Sequence, residues 1–146
     1  GDCCAARSDA ERIGLGDDGW APDMFEVMRT CVGVHKLKQR NPSGFDAETA
    51  LEWATVGSAG VLGLEDTIGS LEPGKDADML TLDLGPNPVR PGSAPYYIVD
   101  AATSGDITRT IVGGDTVYRR GEGVVGVTDD QLAAVGEAAE RLWNRL

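Results

Sequence analysis

The sequence predicts an α/β fold, and three observations carry that expectation. A short apolar run at 13–15 meets a turn with two adjacent carboxylates, Asp17 and Asp18, and an amphipathic helix follows. Two turn signals, Pro73-Gly74 and Gly113-Gly114, stand between strand-like stretches. A last helix opens at Thr128-Asp-Asp-Gln131, which has capping-box spacing.

The elements are expected in this order. Residues 13–16 read as a short buried strand, with Gly14 and Gly16 letting something pack close or the backbone turn. Such a strand would put the acidic pair at its C-terminal end, the edge where α/β folds collect their chemistry. Pro22 suits the first turn of a helix, and the helix dipole favours Asp23 and Glu26 there. Met24, Val27, Met28, Cys31, Val32 and His35 follow at helical spacing. Lys36, Lys38 and Arg40 supply positive charge to the last turn, and 41–44 ends it.

A second helix is expected over 46–62, with Asp46 as N-cap, Gly63 as stop, and Ala50, Leu51, Ala54, Val61 and Leu62 on its buried side. Its small residues, Ala54, Gly57, Ser58, Ala59 and Gly60, imply close packing against a neighbouring element, or a ligand edge. Residues 68–71 and 77–84 read as two strands around Pro73-Gly74, a pair suited to a type II turn. Four of the seven prolines fall in 85–97, which predicts a loop. Residues 96–102 fit either a strand or a short helix. Residues 106–112 and 115–119 predict a second hairpin. Leu132, Val135, Leu142, Trp143 and Leu146 form the apolar face of the last helix.

Composition bounds the function. A chain of 146 residues can bury very roughly 70% of its unfolded surface. The net charge of −11 and pI of about 4.4 argue against nucleic acid or an anionic membrane as partner, since both need basic patches. Three cysteines, Cys3, Cys4 and Cys31, make no disulfide framework and point to a reducing cytoplasm. No apolar run approaches the ~18 residues of a membrane span. Residues 1–12 have neither periodicity nor the pattern of a signal peptide. Gly1 in place of methionine is what a chain beginning inside a domain would show, and an added tag or a truncated chain would show it too.

Three segments carry a resemblance. They are 14–28, with Gly-Leu-Gly-Asp-Asp-Gly-Trp and then Asp23-Met-Phe-Glu26; 51–64; and 68–83, Ile-Gly-Ser-Leu-Glu-Pro-Gly-Lys-Asp-Ala-Asp-Met-Leu-Thr-Leu-Asp. Residues 13–128 resemble the C-terminal part of the amidohydrolase superfamily, within it the metal-dependent deaminases and chlorohydrolases, and most of all the SsnA-like aminohydrolases. The resemblance implies that 13–40 form the eighth strand and helix of a TIM-like barrel, and that 68–120 belong to a small β-sandwich built from both chain ends. The division it implies is 1–66 as the C-terminal part of the barrel, 67–127 as the sandwich part, and 128–146 as a C-terminal helix.

The resemblance also implies a mechanism. A Zn²⁺ or Fe²⁺ ion binds a water, lowers its pKa and aims it at a ring or amidine carbon, and ammonia or another group leaves. The family's strand-eight aspartate, which touches the metal and takes a proton from that water, falls on Asp18. Asp18 is therefore the expected catalytic residue and metal ligand, and Asp17 has no assigned role. The competing reading makes both aspartates caps of the next helix. The implied substrate is a small molecule of purine, pyrimidine, triazine or amidine type, and a homo-oligomer is among the expected states.

This chain departs from the family in its histidines. The family's first strand brings His-x-His and later strands bring two more, whereas this chain has one histidine, His35, on the apolar stripe. His35 reads as a core or helix-surface histidine. Trp20, just past the acidic turn, fits packing or a substrate pocket. One carboxylate does not make a catalytic zinc site, which takes about three protein ligands. The isolated chain is therefore expected to bind no metal and to be inactive. The alternative function is a truncated, non-catalytic remnant that serves dimerisation or partner binding.

Overall fold

A computed structural model describes residues 13–19, 22–86 and 89–145. Cys3, Cys4, Trp20 and Leu146 lie outside the described residues. The first helix, α1, spans Met24–Gln39. Asp23 caps it, accepting from the Phe25 N–H at 2.9 Å and the Glu26 N–H at 3.4 Å. At the other end Arg40 takes the left-handed conformation (φ 50°), and the Asn41 N–H donates back to the Lys36 carbonyl at 3.2 Å. The buried face is Phe25, Met28, Val32 and His35. It lies slightly round the helix from the expected stripe, so Phe25 rather than Met24 leads it.

The second helix is interrupted. An α-helical piece, α2 (Ala47–Glu52), runs into a π-helical turn (Trp53–Gly57) and then into α3 (Ser58–Leu62). Asp46 caps α2 through the Thr49 N–H at 2.8 Å, and Gly63 (φ 70°) closes α3. Val61 and Leu62 are exposed, contrary to expectation, because the wide turn rotates α3 relative to α2. Residues 91–100 are not loop: a 3₁₀ turn (Pro91–Ser93) leads into a helix, α4 (Ala94–Asp100). Pro95 sits in the first turn of α4, where its missing N–H costs nothing. This also settles 96–100 as helix.

The core lies among α1, α2 and α4. Ala50, Val99 and Ala102 are fully buried there with Phe25, Met28 and Val32. Arg29 joins the layers, donating to the carbonyls of Asp100 (3.3 Å) and Ala102 (2.7 Å) at the C-terminus of α4. His35 is a core residue. Its ring stacks on Phe45 at 4.3 Å, meets the edge of Trp53 at 5.6 Å, and hydrogen-bonds through Nδ1 to the Cys31 carbonyl at 2.9 Å.

One antiparallel sheet follows, in the order β1 (Met79–Leu82), β2 (Ile107–Val112), β3 (Asp115–Arg119), β4 (Gly123–Val124). The hairpin at Gly113-Gly114 forms as expected, with φ of 57° and 89° at its two glycines. The register of β1 on β2 slips between Thr81 and Leu82. That bulge breaks the simple alternation and turns Leu82 in, where it and Ile107 pack on the core. Residues 68–71 form no strand. They are held instead by the Pro73-Gly74 turn, with Gly74 at φ 98°, and by the Asp76 N–H donating to the Thr67 carbonyl at 2.8 Å.

The segment 13–16 also carries no ladder. A lone parallel strand needs strands beside it, and none of the described strands lies there. The final helix, α5 (Asp129–Trp143), has the expected capping box between Thr128 and Gln131. Its apolar side chains are all exposed, Trp143 at 72%. Among the described residues no helix is long and apolar enough to cross a membrane.

Candidate functional site

The acidic turn is built from the segment that precedes it. The Leu15 N–H donates to the Trp53 carbonyl at 3.3 Å and to the Ser58 hydroxyl at 3.2 Å, fixing 13–15 against the π-helical turn. The close approach expected of the small residues is met at Gly14. A methyl group there would stand 2.9 Å from Ser58 Cα. Gly16 meets nothing. The small-residue run of the second helix is therefore a packing surface for this segment.

After Gly16 the chain turns sharply. Asp17 accepts the Gly19 N–H at 3.3 Å through its own carboxylate, an Asx turn. Asp18 and Gly19 both sit at positive φ, 49° and 72°. An aspartate tolerates the left-handed region better than most residues, since its short polar side chain can bond locally. Asp18 is exposed and, among the described residues, its carboxylate is tied to no other group. Asp23 caps α1, so neither Asp17 nor Asp18 is that cap.

Asp23 has a second task. Its other oxygen accepts the Ser104 N–H at 3.4 Å, tying the start of α1 to the 3₁₀ turn (Ser104–Asp106) that precedes β2. Burial raises the Asp23 pKa, but hydrogen bonds from the Ser104 side chain and from the backbone N–H groups of Phe25, Ser104 and Glu26 outweigh it. The net value lies below the ordinary 3.8. Asp46 is lowered too, mainly by hydrogen bonds from the Thr49 backbone and side chain, against a smaller effect of burial and with help from Lys36.

A carboxylate whose folded pKa is depressed contributes stability above its unfolded pKa and loses it as the pH falls through the folded value. Stability is therefore expected to fall below about pH 4 as the unfolded aspartates take up protons. Asp23→Asn together with Asp46→Asn should flatten that limb. Thermal unfolding from pH 6 down to pH 3 measures it, and an unchanged slope in the double variant would dismiss both caps as its source.

Asp18 offers a hard oxygen donor of the kind that Zn²⁺, Fe²⁺ or Mn²⁺ accepts, so it fits one position of a divalent metal site. Among the described residues no three or more His, Cys, Asp or Glu gather closely enough to hold a metal ion. An open cleft of about 340 Å³ is lined by Trp53, Val56, Gly57 and Glu65, among others, and Asp18 is not one of its walls. Sequence reasoning reached Asp18 through its motif and named Ser58 only as one of the small residues expected to pack closely. The small-residue run around Ser58 was the available signal for it.

Known proteins share this architecture. A 5-methylthioadenosine/S-adenosylhomocysteine deaminase of Desulforudis audaxviator is 36% identical over 135 residues, covering 89% of this chain and 31% of that protein. A 5'-deoxyadenosine deaminase of Methanosarcina mazei is 35% identical over 144 residues, covering 92% of this chain and 32% of that protein. Among solved structures, a zinc-bound adenosine deaminase from Xanthomonas campestris superposes with a TM-score of 0.73 at 29% identity, over 83% of this chain and 28% of its own. Escherichia coli guanine deaminase superposes with a TM-score of 0.65 at 28% identity, over 75% of this chain and 27% of its own. The chain thus spans about a third of the length of the curated relatives it matches. Residues 4–117 match the model of the amidohydrolase family, and with that match over most of its length the chain belongs to this family.

Proposed function

We propose that these residues are the C-terminal part of a metal-dependent aminohydrolase that deaminates a small amino-purine base or nucleoside. The observation that carries the reading is the similarity to several deaminases along most of the chain. Residues 1–66 would complete a barrel, 67–127 would supply the sheet beside it, and 128–146 would be an appended helix. In the reaction, water adds to the amino-bearing ring carbon, and the amino group leaves as ammonia.

Asp18 would hold the metal through one carboxylate oxygen. Its other oxygen would accept a proton from the attacking water and return it to the leaving group. A bound divalent cation supplies Lewis acidity and lowers the pKa of water toward neutrality. The remaining ligands would come from residues beyond those described. The net charge of −11 disfavours association of this part with nucleic acid and is compatible with a neutral nucleoside substrate.

The test is direct. The full-length protein is purified, its metal content measured by mass spectrometry, and ammonia release followed with 5'-deoxyadenosine, 5-methylthioadenosine, adenosine and guanine. Bound zinc or iron and turnover of at least one of these support the reading. A metal-free protein without turnover would favour the alternative, a non-catalytic interaction module, for which the uncovered apolar face of α5 speaks.

A further inference from the structure

Resting on that reading of Asp18, we propose that Gly57 and Ser58 are positioning residues for it, clamping the backbone at 13–15 and so setting where the acidic turn presents its carboxylate. The clamp is built from both sides. Gly57 has no Cβ, and one placed there would collide with the Ile13 carbonyl oxygen. A Cβ at Gly14 would likewise collide with Ser58, at 2.9 Å from both its Cα and its hydroxyl. The two backbones therefore meet without side chains between them.

Hydrogen bonds lock that approach. The Ser58 hydroxyl donates to the Trp53 carbonyl at 2.8 Å and accepts the Leu15 N–H at 3.2 Å. The Trp53 carbonyl also accepts the Leu15 N–H directly, at 3.3 Å. The π-helical turn makes this possible. Its wider winding bonds the Ser58 N–H back to the same Trp53 carbonyl and turns Gly57 toward the segment.

Only Gly16 separates the clamped Leu15 from the Asx turn of Asp17, which is closed locally on Gly19. A shift at Leu15 is therefore passed to Asp18 through two residues, Gly16 and Asp17. Neither Gly57 nor Ser58 needs to touch metal or substrate for this. Groups that orient a metal ligand from behind typically change metal affinity 10- to 100-fold when removed.

Zn²⁺ affinity of the full-length protein, measured by competition with a chromophoric chelator, is the readout, beside thermal unfolding. Asp18→Asn should weaken zinc at least ~100-fold, Gly57→Ala by ~10- to 100-fold, and Ser58→Ala by about 10-fold. In the Asp18→Asn background, Ser58→Ala should have almost no further effect on zinc, because the clamp then has no ligand to place. Should Gly57→Ala fail to fold, Ser58→Ala decides alone. The proposal is overturned if Ser58→Ala lowers the unfolding midpoint while zinc affinity stays unchanged, or if it weakens zinc equally in both backgrounds. If Asp18→Asn binds zinc as the parent does, the reading of Asp18 itself fails and the clamp's role falls with it.

Discussion

Asp18→Asn in the full-length protein is expected to lower kcat/KM for an amino-purine substrate by about 10³-fold, or roughly 4 kcal/mol of transition-state stabilisation. The substitution is well suited to the question. Asparagine tolerates the left-handed backbone that Asp18 adopts at φ 49°, so the turn survives. What disappears is the charge and the ability to take a proton. Steady-state kinetics, read beside an unfolding curve, separate the two effects. Asp17→Asn is the matched control. Its side chain accepts the Gly19 N–H through an oxygen that asparagine also carries, so it should leave turnover near the parent's. Equal losses at both positions would mean that the turn's charge, and not Asp18, matters.

Phe25→Ala should be the most damaging change to the fold, at about 3–5 kcal/mol. Phe25 is 6% exposed and packs in the core with Met28, Val32, Ala50 and Val99. Removing the ring leaves a void that three packed helices cannot easily collapse into. Leu37 lies on the same helix but is 79% exposed, so Leu37→Ala should stay within about 0.5 kcal/mol of the parent. Urea unfolding midpoints, compared at constant slope, test the pair. Similar shifts for the two would contradict the placement of the core.

These two positions also show what the sequence made legible. The stop of α1 near Arg40 was readable because capping is local, whereas its start was read too early: Pro22, expected in the first turn, precedes the helix, and Asp23 is its N-cap. Asp46, Gly63 and the Thr128 box all do what their neighbours in sequence imply. The same holds for the Gly113-Gly114 hairpin. Phe25 was missed because the stripe was read from its best period, and packing against α2 and α4 chose an adjacent strip of the helix surface. The expected strand at 13–16 depended on neighbours the described sheet does not supply, and hydrogen bonds to the π-helical turn took their place.

The candidate site divides in the same way. Asp18 was found from its motif, while its role was carried by family likeness and not by any pattern in the chain. Under the proposed function the remaining metal ligands would be non-local, and these 146 residues, with one histidine, do not contain a full set. The bulge in β1 is similarly invisible in sequence, since it follows from pairing register and not from composition.

The exposed last helix has a kinetic consequence. A helix of fifteen residues standing alone in water is only marginally stable, whatever its caps. Its amide protons should therefore exchange with deuterium far faster than those of α1, whose buried face must open globally before exchange. Any slowing at Leu132, Val135 and Leu142 would then report a surface laid over them. Deuterium uptake along α5 thus turns an uncovered apolar face into a built-in gauge of assembly, read without knowing the partner in advance.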